Sequence, residues 1–117
     1  MVDPRGGQGM GTSLKGTVVI INFPFSDLTA AKKRPALVIA DFESEDVLLA
    51  QITSIVNKDK YAVELKSEDF LSGSLMRISF IRPNKLFTAD KRIFLQTVGR
   101  LTEHKLQEVI NKIVEFL

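Results

Sequence analysis

Two arginines in this 117-residue chain stand immediately before prolines, Arg34-Pro35 and Arg82-Pro83. The residue before a proline is restricted to extended geometry, so each guanidinium is held at a defined place. Its planar fork can grip a phosphate bidentately. Arg34 closes the cluster Lys32-Lys33-Arg34, and Arg82 is followed by the amide of Asn84 and the ammonium of Lys85. Between them in sequence, Ile52-Thr53-Ser54 places two hydroxyls at the end of an apolar run. Each feature has an ordinary alternative: an arginine beside a turn, hydroxyls that satisfy nearby backbone groups, and a plain basic loop.

Other chemistries find little material. The chain has no cysteine and one histidine. That leaves no thiolate nucleophile, no disulfide framework and no Cys or His metal cluster. A catalytic triad would have to use His104, which falls near the start of the last predicted helix, where a capping or solvent-facing role suits it. No apolar run approaches the roughly 18–20 residues of a membrane span, and the start lacks the basic and apolar segments of a signal peptide. A cytoplasmic protein without metal or cofactor is expected.

Charge is more telling in its distribution than in its total. Sixteen Lys/Arg against fourteen Asp/Glu give a net charge of only +2. Between Arg77 and Arg100, however, six basic residues (Arg77, Arg82, Lys85, Lys91, Arg92, Arg100) face one acid, Asp90. The acids Asp41, Glu43, Glu45 and Asp46 concentrate elsewhere. Such polarity fits a polyanion-binding face and equally a solvated surface.

The elements that must position these groups follow from hydropathy. At 44% hydrophobic and 26% charged, the chain is globular, and its length suits one domain. Residues 1–15 hold four of the seven glycines and read as a flexible tail, with Met10 a candidate natural start; residues 16–117 form the domain. Apolar runs predict strands at 17–23, 35–40, 47–53 and 61–65, then 75–81 and 94–98. A helical turn is expected at 68–71, ended by Gly73, and Gly99 is expected to break the last strand. Thr102 is a plausible N-cap. Leu106, Val109, Ile110, Ile113, Val114 and Leu117 then recur on one face of an amphipathic helix. Five or six short strands and one helix leave little room for βαβ crossovers. They predict a mainly β fold with α: a curled antiparallel sheet closing into a small barrel, with the helix laid on it.

Five motifs in order carry a family likeness: Gly16-Thr17-Val18-Val19, Phe23-Pro24-Phe25-Ser26-Asp27-Leu28, Lys33-Arg34-Pro35-Ala36-Leu37-Val38, Ile52-Thr53-Ser54 and Ser79-Phe80-Ile81-Arg82-Pro83-Asn84-Lys85-Leu86-Phe87-Thr88. Gly99-Arg100-Leu101 leading into a terminal helix also matches. Over roughly residues 15–117 the chain resembles the MazF/PemK toxin family.

The resemblance implies an SH3-like β-barrel with appended helices, a homodimer, and the toxin of a type II toxin–antitoxin pair. It implies a metal-independent endoribonuclease that cuts single-stranded RNA to a 2′,3′-cyclic phosphate and a 5′-hydroxyl, opposed by a cognate antitoxin. It places the catalytic roles on Arg34 and Thr53, and RNA contacts on Phe25, Lys33, Ser54, Arg82, Asn84 and Lys85. Phe25 would offer a stacking face for an unpaired base, unless it is core. One departure matters. The acid proposed as general base in PemK-type members falls on Asn84, which can hydrogen-bond but cannot take a proton. Two alternatives from other classes stand beside this reading: a same-fold growth inhibitor acting on DNA gyrase, as CcdB-like proteins do, and a non-catalytic RNA- or partner-binding barrel.

Overall fold

The computed structural model describes residues 13–23, 32–55 and 59–117. Seven strands form one antiparallel sheet: β1 (Thr17–Phe23), β2 (Lys32–Asp41), β3 (Asp46–Thr53), β4 (Val63–Leu65), β5 (Phe70–Gly73), β6 (Ser79–Asp90) and β7 (Phe94–Leu101). The helix α1 (Glu103–Glu115) follows directly. The sheet order is β4-β6-β3-β2-β1-β7-β5, curled into a half-barrel with β4 and β5 at its edges. The mainly β, one-helix architecture expected from the hydropathy pattern is the one observed.

Continuous apolar runs form the central strands because both faces of the sheet are covered. On one face Val18, Leu37, Ala50, Ile52, Ile81 and Val63 pack beneath Leu106, Val109 and Ile113 of α1. On the other, Val19, Ile21, Phe23, Ala36, Val38, Val47 and Leu49 gather with Phe87, Ala89 and Phe94. Leu14, in the segment read as tail, packs against this second cluster. Its backbone N–H donates to Asp41 Oδ2 at 2.9 Å.

The helix begins where expected. Thr102 accepts from the Lys105 N–H as N-cap. Of the predicted apolar stripe, Val109 is buried, while Val114 and Leu117 lie exposed beyond the sheet. Lys105 is buried at the helix start, with Nζ 3.1 Å from Glu64 O, 2.9 Å from Glu108 Oε1 and 3.6 Å from Asp69 Oδ2. The Thr102 N–H donates to Asp69 O at 2.9 Å. The first turn of α1 thereby ties β4 to the connection that leads into β5.

Several boundaries differ from the expectation. The expected helical turn is a 3-10 turn at Ser67–Asp69, and Phe70–Gly73 continues as an edge strand paired with β7. Gly99 does not end β7. It lies inside that strand, beside Gly73, where a Cβ on either residue would collide with the other strand's backbone. The strand expected at 75–81 starts instead at Ser79 and runs on to Asp90. It does so through a bulge: Ala50 pairs with Leu86 but its neighbour Gln51 with Arg82, so residues 83–85 are looped out. Pro83 cannot donate to a ladder, and a bulge is where a sheet tolerates it.

Candidate functional site

The register of three adjacent strands assembles the polar groups. Gln51 of β3 pairs with Ala36 of β2 on one side and with Arg82 of β6 on the other. Paired residues in an antiparallel sheet share a face, as do residues two apart along a strand. Arg34, Ala36 and Val38 therefore alternate to one side of β2, and Leu49, Gln51 and Thr53 to the same side of β3. This side carries the second cluster, and the polar residues prolong it at one end.

At that end Lys32, Lys33, Arg34, Pro35, Ile52, Thr53, Ser54 and Ile55 line an open groove of about 270 Å³. Arg34 and Thr53, nineteen residues apart in sequence, meet there. Arg34 is half-buried with its Nε shut off from solvent, whereas Lys33 and Ser54 are exposed. Thr53 Oγ1 accepts the Ile55 N–H at 3.1 Å. A hydroxyl has one hydrogen and two lone pairs, so this contact leaves its hydrogen for a ligand oxygen. Phe80 is the cross-strand partner of Thr53 and is half-buried, an aromatic that the sequence reading did not single out. Phe25, the aromatic it did single out, lies outside the described residues.

Arg82, Asn84 and Lys85 belong to the bulged segment one strand further on. Asn84 and Lys85 are exposed, and Pro83 is buried beneath them. Arg82 is not solvated alone. Its Nε and Nη2 each lie 3.4 Å from Asp59 Oδ2. The same carboxylate accepts the Tyr61 N–H at 2.9 Å and a hydrogen bond from the Asn84 amide. Tyr61's N–H, then Asn84 and Arg82, outweigh burial and hold the Asp59 carboxyl below the usual carboxylate range. Sequence reasoning missed Asp59, which stands 23 residues before its partner in a stretch with no distinguishing motif.

Not all of the basic segment joins this site. Lys91 Nζ pairs with Asp41 at 3.0 Å, and Arg92 with Asp90 at 2.9 Å and Glu45 at 3.6 Å. Arg100 donates to Thr17 Oγ1 and Lys15 O. The acidic turn 41–46 thus neutralises Lys91 and shares Arg92 with Asp90, while Lys32, Lys33 and Lys85 stay exposed. His104 is exposed on the helix. Among the described residues no group of His, Asp or Glu is arranged to hold a metal ion, and no helix is long and apolar enough to cross a membrane.

Fold and groove together define the class: a small curled β half-barrel with a cationic edge suited to a phosphate-bearing ligand. Residues 14–117 match the family model described as PemK-like, MazF-like toxin of type II toxin–antitoxin systems. The chain belongs to that family. Comparison with curated protein sequences returns no match. Among solved structures, the chain is similar to an endoribonuclease in complex with its cognate antitoxin from a mycobacterial species, with 15% identity and TM-score 0.68, covering 87% of this chain and 91% of that one. It is also similar to MazE–MazF (Form-II) from Deinococcus radiodurans, with 19% identity and TM-score 0.69, covering 87% and 92%. A third is the Mycobacterium tuberculosis toxin MazF-mt6, with 16% identity and TM-score 0.65, covering 85% and 93%.

Proposed function

We propose that this toxin is an endoribonuclease that cuts single-stranded RNA without a metal ion, leaving a 2′,3′-cyclic phosphate and a 5′-hydroxyl. The observation that carries the reading is the meeting of Arg34 and Thr53, from separate strands, in one cationic groove. In this reaction the 2′-oxygen attacks the adjacent phosphorus, the P–O5′ bond breaks, and O5′ takes up a proton as the 2′-hydroxyl loses one. The protein needs no nucleophile of its own. It has to position the phosphate in line and stabilise charge on its equatorial oxygens. Arg34 supplies the charge and the Thr53 hydroxyl a hydrogen bond. Lys33, Ser54, Arg82, Asn84 and Lys85 contact the flanking chain. A single strand is preferred because the 2′-hydroxyl must swing in line and base edges must be reached.

The same reading makes the protein a cytoplasmic homodimer whose grooves are blocked by an acidic segment of the cognate antitoxin, through charge complementarity. The decisive experiment is cleavage of one RNA in EDTA, against the same strand with a 2′-deoxy linkage at the cut site. Cleavage of the first with a cyclic phosphate end, and none of the second, is expected. Equal rates would rule out internal attack.

A further inference from the structure

An acid is present beside Arg82, although position 84 holds an amide. It arrives from another part of the chain: Asp59, which precedes β4, lies against the bulged residues of β6. Its carboxylate gathers the Arg82 Nε–H and Nη2–H, the Asn84 amide and the Tyr61 N–H. The Asp59 side chain is 8% exposed and that of Arg82 24%.

We propose that Asp59 is a positioning residue for RNA cleavage: it holds one edge of the Arg82 guanidinium so that the other meets a phosphate oxygen of the substrate. The proposal rests on the endoribonuclease reading above. An arginine side chain is rich in rotamer freedom, and a partner that fixes its plane removes part of the entropy cost of ordering it before the ligand arrives. The Nε–Nη2 edge is engaged by the carboxylate, and among the described residues Nη1 has no partner. Pro83 constrains the backbone of Arg82 from the other side. Asp59 and Asn84 make a carboxylate–amide pair across the bulge, with the charge on residue 59. The carboxylate is nearly buried and its basicity is lowered by its donors, which makes it a poor acceptor for the 2′-hydroxyl proton. Its effect therefore passes through Arg82.

The test uses the full-length toxin and a double-mutant cycle in single-turnover RNA cleavage. Asp59→Asn keeps the shape and an acceptor for the Tyr61 N–H. It should slow the chemical step about tenfold to a hundredfold, the scale of losing a positioned phosphate contact. In an Arg82→Ala background the same change should alter the rate by less than about twofold, because the partner it acts through is gone. The exchange Asp59→Asn with Asn84→Asp should recover most of the activity. A thermal melt shows that the variants are folded, and the Arg82 Nε–H resonance, followed by NMR, should lose exchange protection in Asp59→Asn. Additive effects of the 59 and 82 substitutions, a wild-type rate in Asp59→Asn, or an unchanged Nε–H signal would overturn the positioning role while leaving the nuclease reading intact. No cleavage by the wild-type protein would sink both.

Discussion

Replacing Thr53 by Val removes one hydroxyl at nearly constant volume, and the structure separates what that costs the fold from what it costs the reaction. Thr53 Oγ1 accepts the Ile55 N–H at 3.1 Å. Ile55 is exposed, so water can take over that donor, and the loss of stability should stay near 0.5–1.5 kcal/mol. For a domain of this size that is a fall in Tm of roughly 3–10 °C. Under the proposed function, the hydroxyl hydrogen left over by this contact is the one that meets the developing charge on phosphate. Losing one such donor costs about 10²–10³ in rate. Thr53→Ser keeps both functions and should stay within about fivefold of wild type. Single-turnover cleavage of a short RNA, measured about 20 °C below the lower Tm, keeps unfolding out of the comparison. If Thr53→Val cut within threefold of wild type, or Thr53→Ser were as slow as Thr53→Val, the hydroxyl would not be the operative group.

Three further predictions address the rest of the molecule. Arg34→Lys keeps the charge and loses the fork, so cleavage should drop more than about tenfold while the melt is nearly unchanged; a wild-type rate in the same assay would remove the bidentate grip. Lys105→Met should cost roughly 2–4 kcal/mol in urea unfolding, because Glu64 O and the Asp69 carboxylate are left without the ammonium they share, and a change below about 0.5 kcal/mol would refute that account. Asp41 is held below the usual carboxylate range: burial pushes it up, but the Leu14 N–H, Lys91 and the Glu43 N–H outweigh burial. A depressed carboxyl stabilises fully above its unfolded pKa of about 3.9 and loses that contribution as pH falls through the lower folded value. The stability gap between wild type and Asp41→Asn should therefore be flat from pH 5 to 7 and shrink below about pH 4, and urea titrations showing it widen toward acid would reverse the sign of the argument.

What could be read from the chain alone divides along a physical line. Strands covered on both faces, such as Val18 to Ile21, become unbroken apolar runs, and a helix with one covered face repeats every three to four residues. Both signals are local. Phe70–Gly73 is an edge strand exposed along most of its length, so it carries no alternation to detect. The second half of β6, Leu86 to Asp90, is a short run cut off from the first half by a three-residue bulge, whose presence depends on what β3 offers opposite. The charges of Lys91 and Arg92 cannot be discounted without knowing that Asp46 pairs with Asp90, which brings the acidic turn beside them. Asp59 is hidden for the same reason, since its meaning comes entirely from residues 82 and 84.

Arg34 and Thr53 are singled out in the sequence by the family resemblance, and register is what brings them into one groove. The alternation that sends Ala36 and Val38 inward sends Arg34 to the same side, and the alternation that buries Leu49 does the same for Thr53. Where the apolar cluster stops along β2 and β3, that face continues with Arg34 and, past Gln51, with Thr53. A slip of one residue between β2 and β3 would carry Arg34 and Thr53 to opposite faces, and would take either Ala36 and Val38 or Val47 and Leu49 away from the cluster they now share. The hydrophobic energy of this cluster is thus what keeps the guanidinium and the hydroxyl in one groove. The proposed reaction asks chemistry of side chains that contribute little to stability, held in place by apolar neighbours on the same strands.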